Sequence, residues 1–165
     1  MVIIVFGLPG SGKSYFASRL AKKFKAWYVN SDGLRKELMP EPSYSTREKV
    51  SVYKAMLDMM TIAIGESQDI VLDATFYKKD IRNMFIDQAG DQGEEITFIE
   101  VIADEKLIRN RLSQKREDSD ADFSVYQKIN QEFEPLLIPH LVLESKSQNI
   151  EQMVKRALES LNRIQ

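Results

Sequence analysis

Two patterns of apolar positions alternate along the chain: short continuous runs, and longer stretches in which apolar residues recur three or four positions apart. The continuous runs predict five β-strands, over residues 2–6, 27–29, 70–72, 96–102 and 141–143. The first run is apolar at every position, which is typical of a strand covered on both faces. Strands that alternate with helices predict right-handed crossovers, and therefore an α/β fold with a parallel sheet.

The stretches between these runs predict amphipathic helices. The longest helix begins at Ser45, which forms a capping-box pattern with Glu48. Its predicted buried face carries five apolar residues: Val50, Tyr53, Leu57, Met60 and Ile64. A shorter helix is predicted over residues 33–39 and ends before Pro40, because proline has no N–H group to donate. The last helix is predicted to begin at Asn149.

A phosphate-binding loop is predicted between the first strand and the helix that follows it. Residues 7–14 match the pattern G-x-x-x-x-G-K-[ST] in the strand–loop–helix context that the pattern requires, which argues against a chance match. Glycines let successive N–H groups turn inward around an anion, and the helix adds its positive N-terminus. We expect Lys13 to bridge the β- and γ-phosphates of ATP and Ser14 to bind magnesium. The residues predicted to bind the nucleotide here are Gly7, Pro9, Gly10, Ser11, Gly12, Lys13 and Ser14.

Polar residues follow the second predicted strand, at the sheet edge where open α/β sheets bind ligands. Asp32 and Arg35 are one helical turn apart there. A carboxylate at this place can orient or deprotonate an attacking hydroxyl, and a guanidinium can grip a phosphate or carboxylate of the acceptor. The alternative is that Ser31 or Asp32 only caps a short helix, with Arg35 a solvated surface residue.

Asp73 follows the third predicted strand and faces the same edge. We predict that it supports the magnesium ion, as a carboxylate in this position does beside a phosphate-binding loop. The alternative is a plain cap for the following turn. Thr75, two residues later, either hydrogen-bonds the substrate or caps, and the sequence favours neither.

A basic cluster follows the fourth predicted strand, at Arg109, Arg111, Lys115 and Arg116. We predict that the surrounding region, about residues 105–125, forms a lid whose arginine closes over the transferring phosphoryl group. Arg111 is favoured as the catalytic arginine and Arg116 as a further nucleotide-binding residue, although the spacing does not choose firmly between them. The alternative is a solvated helix held by surface ion pairs.

Together, the loop at residues 7–14, Ser31-Asp-x-x-Arg35, Asp73-Ala-Thr75 and the arginine-rich stretch resemble the P-loop kinases grouped with polynucleotide 5′-hydroxyl kinases and zeta-toxin-like kinases. The resemblance runs over nearly the whole chain, although only the loop is highly specific. It implies a P-loop NTPase fold: a five-stranded parallel sheet of order 2-3-1-4-5, flanked by helices, with a small helical lid. It also implies that Asp32 acts on a 5′-hydroxyl, that Arg35 holds the adjacent phosphate and that Arg111 is the lid arginine. The Gly-rich third-strand motif of shikimate kinases is absent.

Composition narrows the chemistry further. The chain has 165 residues, the length of a single domain, and it has no cysteine, which excludes disulfides, a thiol nucleophile and cysteine-based zinc sites. The single histidine, His140, has no partner in the sequence, and we interpret it as structural. A net charge of −2 indicates that any contact with nucleic acid is local, because proteins that wrap long nucleic acids are usually basic. No apolar run approaches the length of a membrane span, and we expect a cytoplasmic protein.

The sequence therefore predicts an ATP- and Mg²⁺-dependent kinase that transfers the γ-phosphoryl group to an acceptor hydroxyl. The acceptor we favour is a nucleic-acid 5′ end or a nucleotide-like molecule, followed by a small alcohol such as a sugar, an antibiotic or a nucleotide-sugar. A regulatory switch that hydrolyses ATP without an acceptor, and a nucleoside-monophosphate kinase, are further alternatives. We expect ATP and the acceptor to be the ligands, without a membrane or an obligate protein partner.

Overall fold

The computed structural model of the chain describes residues 1–114 and 122–162. Its five strands are β1 (Val2–Phe6), β2 (Trp27–Asn30), β3 (Ile70–Asp73), β4 (Ile96–Ile102) and β5 (Leu141–Glu144). All pair in parallel and form one sheet of order β2-β3-β1-β4-β5, which confirms the predicted fold and strand order. Three strands extend one residue further than predicted at their carboxyl ends: β2 and β3, where Asn30 pairs with Asp73, and β5, where Glu144 pairs with Ile102.

Seven helices flank the sheet in these described ranges: α1 (Lys13–Phe24), α2 (Ser31–Leu38), α3 (Thr46–Gly65), α4 (Lys79–Asp91), α5 (Glu105–Ser113), α6 (Phe123–Glu132) and α7 (Ile150–Asn162). Within the part of the chain that is described, none of them is long and apolar enough to cross a membrane. The predicted lid region contains α5 and the start of α6, whereas residues 115–121 between them lie outside the description.

The hydrophobic core lies on both faces of the sheet, with β1 at its centre. Val2, Ile4 and Phe6 pack in the cluster that includes α3 and α4. Ile3 and Val5 point the other way, into the cluster that includes α1 and α7. All five side chains are at most 1% exposed, as expected for a strand covered on both sides. Full burial of such side chains contributes roughly 1.5–3 kcal/mol each, which holds the loop after β1 on a rigid base.

The long helix α3 is present as predicted, but its buried face is rotated from the predicted one. Val50 is 40% exposed, and Leu57 and Ile64 are only partly buried. The apolar residues that α3 buries are Val52, Tyr53, Met56, Met60 and Ala63. Both sets recur at helical spacing, so periodicity alone does not separate them. Packing against the sheet selects the second set, which places the buried Glu48 towards α2.

Candidate active site

The loop between β1 and α1, residues 7–14, is shaped by glycines at points of close approach. A Cβ atom on Gly7 would lie 2.3 Å from the carbonyl oxygen of Val101, so only glycine lets the loop leave β1 against β4. Gly12 has a φ of +91° and is the N-cap of α1, where a Cβ would lie 2.7 Å from Ser145 Oγ. Because glycine has no side chain to cap the helix, the N–H groups of the first turn of α1 are left to bind an anion.

Lys13 and Ser14, the predicted phosphate and magnesium residues, are the first two residues of α1. The Lys13 ammonium donates a hydrogen bond to the Leu8 carbonyl oxygen at 3.5 Å, so the lysine reaches across the loop. Ser11 is fully buried, its N–H donates to the same carbonyl oxygen at 3.1 Å, and its Oγ has no partner among the described residues. The loop and the start of α1 therefore bring together the Lys13 ammonium, backbone N–H donors and serine hydroxyl groups.

The Asp73 carboxylate lies beside this point, at the end of β3, and is fully buried. Its Oδ2 accepts hydrogen bonds from the Tyr28 hydroxyl at 2.7 Å and from Asn30 Nδ2 at 2.6 Å. Asn30 Nδ2 also donates to Ser14 Oγ at 3.2 Å, which links the two predicted metal ligands. Burial, followed by the charge of Asp73, raises the pKa of the Tyr28 hydroxyl well above its ordinary value, so Tyr28 stays protonated and donates.

The second oxygen of Asp73 makes this cluster suitable for a magnesium ion. Asp73 Oδ1 is buried and has no hydrogen-bond partner among the residues described. A buried carboxylate oxygen without a partner is costly, and a cation offsets that cost. Magnesium prefers oxygen ligands and commonly binds through one or two protein groups together with substrate phosphates. Asp73 Oδ1 and Ser14 Oγ therefore fit the ion that the sequence predicts.

Asn30 also begins the helix that carries Asp32. Its Oδ1 accepts a hydrogen bond from the Gly33 N–H at 2.9 Å, so Asn30 is the N-cap of α2. The interpretation of Ser31 or Asp32 as the cap is therefore wrong. Asp32 lies instead in the first turn of α2, half-buried and lining the same cleft as Lys13 and Ser14. Sequence reasoning missed Asn30 and its neighbour in the cluster, Tyr28, although an asparagine directly before a short helix is a typical cap signal.

The ionisation of Asp32 is set by its surroundings. Burial of the carboxyl group raises its pKa above the ordinary range, and Asp73 adds to this rise, although Lys13 and Arg35 act in the opposite direction. A carboxylate with a raised pKa accepts a proton more readily than an ordinary aspartate. The position and the pKa of Asp32 therefore suit a group that takes a proton from an attacking hydroxyl.

Arg35 is not the solvated surface residue of the alternative interpretation, because it is only 9% exposed. Its Nε lies 3.2 Å from Glu48 Oε1, and its Nη1 lies 3.7 Å from Asp32 Oδ1. The guanidinium carbon is 4.9 Å from the centre of the Tyr44 ring. Arg35 therefore joins α2 to α3 and keeps a positive charge beside Asp32. Its predicted contact with the acceptor stays a prediction.

The partner of Arg35, Glu48, has a second role at the start of α3. The capping box is present in part as predicted, since Ser45 Oγ accepts a hydrogen bond from the Glu48 N–H at 3.2 Å. The Glu48 carboxylate accepts hydrogen bonds from the Ser43 N–H at 2.7 Å, the Ser43 hydroxyl at 2.8 Å and the Tyr44 N–H at 3.2 Å. Burial acts to raise the pKa of Glu48, but these hydrogen bonds and Arg35 outweigh it and lower the pKa.

Among the described residues of the basic cluster, Arg111 reaches the loop at residues 7–14. Its Nη1 donates to the Gly10 carbonyl oxygen at 3.2 Å, and its Nη2 donates to Ser145 Oγ at 3.0 Å. Arg109 lies apart, 3.6 Å from the carboxylate of Glu105 and stacked on Phe123. Arg116 lies outside the described residues, and its predicted role stays a prediction.

A cleft of about 1450 Å³ unites these residues. Because β1 is central in the sheet, the residues after β2 and β3 lie on one side of the phosphate-binding loop, called here the β2 side. The residues after β4 and β5 lie on the other, called the β5 side. The cleft extends to both, from Thr75 and Tyr77 on the β2 side to residues 145–150 on the β5 side. Thr75 Oγ1 is 3.4 Å from the Tyr53 hydroxyl, so it is placed beside the cleft.

His140 is placed elsewhere. Its Nε2 is 3.1 Å from Glu100 Oε2, its Nδ1 is 2.8 Å from the Ile138 carbonyl oxygen, and its ring packs against Phe6. It does not line the cleft described above. These contacts agree with the interpretation of His140 as structural.

Comparison with known families gives a match over most of the chain. The sequence model AAA_33, described as an AAA domain, matches residues 2–136. No curated protein matches the chain.

Solved structures with P-loop kinase-type folds are similar over nearly their whole length. A gluconokinase from Sinorhizobium meliloti 1021 has a TM-score of 0.75 at 19% identity, covering 99% of this chain and 92% of that one. The APS kinase CysC of Mycobacterium tuberculosis, in complex with AMPPNP and APS, has a TM-score of 0.72 at 17% identity, covering 98% and 96%. Kti12 of Chaetomium thermophilum, in complex with ADP-AlF3, has a TM-score of 0.71 at 20% identity, covering 96% and 98%. At these identities the similarity establishes the fold.

Proposed function

The chain belongs to the AAA domain family AAA_33, and from that membership and its kinase-type fold we propose that it is an ATP- and Mg²⁺-dependent phosphotransferase. It transfers the γ-phosphoryl group of ATP to the hydroxyl group of an acceptor. One observation carries the proposal: Asp32, a carboxylate with a raised pKa, lines the same cleft as Lys13 and Ser14 of the phosphate-binding loop. A nucleotide site alone needs no such base.

On the nucleotide side, the loop N–H groups and the N-terminus of α1 bind the phosphates, and Lys13 bridges the β- and γ-phosphates. Ser14 Oγ and Asp73 Oδ1 would hold the magnesium ion, which would neutralise charge on the phosphate oxygens. Two similar structures are complexes with AMPPNP and with ADP-AlF3, which supports ATP as the donor.

On the acceptor side, Asp32 orients the hydroxyl group and accepts its proton. The hydroxyl oxygen forms a bond to the γ-phosphorus as the bond from that phosphorus to the β–γ bridging oxygen breaks, and ADP leaves. The proton on Asp32 then passes to solvent. Arg35 keeps positive charge beside Asp32, and Arg111, next to Gly10, adds positive charge near the phosphates.

The acceptor we favour remains a nucleic-acid 5′ end or a nucleotide-like molecule, as the resemblance of Asp32 and Arg35 to the polynucleotide kinase motif implies. A small-molecule alcohol is the second candidate, and the comparisons favour it specifically, because a gluconokinase and an APS kinase are among the similar structures. Hydrolysis of ATP without an acceptor remains the rival from another class.

Labelled ATP tests the proposal directly. The protein is incubated with [γ-³²P]ATP, Mg²⁺ and separate 5′-hydroxyl oligonucleotides, nucleosides, nucleoside monophosphates and sugar alcohols. We expect label in one acceptor class, its loss in Lys13→Ala and a strong reduction in Asp32→Asn. Lys23→Ala on the exposed face of α1 and Asp58→Asn on the exposed face of α3 are matched controls. Release of labelled phosphate that is equal in wild type and Asp32→Asn, with no acceptor labelled, would instead support the hydrolytic switch.

A further inference from the structure

The β2 side of the cleft has more positive than negative charge. Apart from the phosphate-binding loop and Asp73, its charged lining among the described residues consists of Arg35, Lys36, Lys49 and Asp32. Arg35 is compensated by its ion pair with Glu48 and its contact with Asp32. The remaining positive charge on this side would not favour the binding of an uncharged alcohol.

Lys49 is the cation whose position is most informative. It is half-buried, and its ammonium donates a hydrogen bond to the Tyr77 hydroxyl at 3.0 Å while lying 5.3 Å from the centre of the Tyr77 ring. Among the described residues, no carboxylate lies within 4.0 Å of this ammonium. An ammonium that is partly removed from water and bonded only to a neutral hydroxyl gains most from an anionic ligand.

The fold fixes where Lys49 points. Val52 and Tyr53 each lie about one turn after Lys49 on α3, and all three line the cleft, so together they form its wall on the β2 side. The residue before Lys49 is Glu48, which is held by Arg35. The helix is therefore anchored to α2 directly beside Lys49, and the lysine lines the same cleft as Asp32.

We propose that the acceptor carries an anionic group, a phosphate or a carboxylate, in addition to the hydroxyl that is phosphorylated, and that Lys49 binds this group. The proposal deepens the phosphotransferase function and rests on it. Lys49 then selects acceptors, whereas Arg35 is already paired with Glu48.

The test uses pairs of acceptors that differ in the anionic group: a nucleoside 3′-monophosphate against its nucleoside, and gluconate against sorbitol. Binding of each is measured by isothermal titration to protein whose loop is filled with ADP and Mg²⁺, and transfer is measured with labelled ATP. The variants are Lys49→Met and Lys49→Arg, with Lys54→Met, on the exposed face of the same helix, as the matched control.

We expect one anionic member to bind the wild-type protein about tenfold or more tightly than its neutral partner, as a charge-assisted hydrogen bond allows. Lys49→Met should lose this preference, whereas Lys49→Arg and Lys54→Met should keep most of it. Raising the ionic strength should weaken binding of the anionic member alone. Unchanged binding of ADP by Lys49→Met shows that the variant is folded.

The inference is overturned if neither pair shows a preference for the anion, or if Lys49→Met weakens both members of a pair equally. The second result would mean that Lys49 supports the wall through Tyr77 instead of binding the acceptor. Preferential binding that depends on Lys49, without transfer of label to any acceptor, would contradict the phosphotransferase proposal and leave the anion site standing.

Discussion

At the scale of single residues, Asn30 links the parts of the site that have to act together. Its Nδ2 donates to Asp73 and to Ser14, the two proposed metal ligands. Its Oδ1 caps the helix that carries Asp32. One amide therefore sets the position of the metal ligands relative to the proposed base, and no carboxylate of the same size could do so, because a carboxylate has no hydrogen to donate.

Replacing Asn30 should weaken the metal site before it affects nucleotide binding. We expect Asn30→Ala to lower the affinity for Mn²⁺ in the presence of ADP by about 10–100-fold, the usual effect of losing a group that orients a metal ligand. Electron paramagnetic resonance of free Mn²⁺ measures this affinity without any turnover. Asn83→Ala, exposed on α4, is the control, and an equal affinity in both variants would contradict the role of Asn30.

Asp32 should make the reaction depend on pH. Only the deprotonated carboxylate accepts a proton, so kcat/KM should fall as the pH drops through the pKa of Asp32, and burial places this fall at a higher pH than for an ordinary aspartate. Asp32→Asn should lower kcat by about 10²–10⁴-fold and remove this limb of the profile. A profile that keeps the same acidic limb in Asp32→Asn would assign it to another group.

At the scale of elements, α2 and α3 are held together by a buried ion pair. Arg35 projects from α2 and Glu48 from the first turn of α3, and both side chains are almost fully buried. Glu48 also orders the segment before its own helix through Ser43 and Tyr44. The space beside Asp32 is therefore shaped by contacts between elements as well as by the sheet.

Glu48→Gln should lower the stability of the fold at neutral pH, because it leaves the buried Arg35 guanidinium without its compensating charge. Hydrogen bonds and Arg35 lower the pKa of Glu48, so its stabilising effect is present above the unfolded pKa of about 4.3 and is lost as the pH falls through the folded pKa. In urea unfolding, the difference between wild type and Glu48→Gln should be clear at pH 7 and shrink towards pH 3. Glu66→Gln, at the exposed end of α3, should show no such dependence.

The strands and helices also show which structural features could be predicted from the sequence alone. The strands, the phosphate-binding loop and the long helix follow from local signals: continuous apolar runs, a motif in its context and a cap. The buried face of α3 does not follow from local signals. Val50 and Val52 belong to two apolar stripes with the same helical spacing, and packing against the sheet determines which stripe is buried. The bonds from Tyr28 and Asn30 to Asp73 join residues more than 40 positions apart and depend on strand register, which no local pattern encodes.

At the scale of the whole molecule, nucleotide binding should increase the free energy of unfolding of the protein. The phosphate-binding loop lies on the central strand and contacts β4 and residues of the β5 side, so filling it strengthens several elements at once. ADP with Mg²⁺ at 100 times its Kd should stabilise the protein by about 2.7 kcal/mol and raise its Tm. Lys13→Ala should lose most of this rise in a thermal-shift measurement, whereas Lys23→Ala should retain it. An equal rise in both variants would place the nucleotide elsewhere.

The central place of β1 has a stereochemical consequence. We expect a donor bound by the phosphate-binding loop and an acceptor bound on the β2 side to meet directly at the γ-phosphorus atom. Direct displacement between them inverts the configuration at that atom, whereas a route through a phosphorylated side chain would involve two inversions and retain it. Transfer from ATP made chiral at the γ-position with sulfur and oxygen isotopes should therefore give a product of inverted handedness.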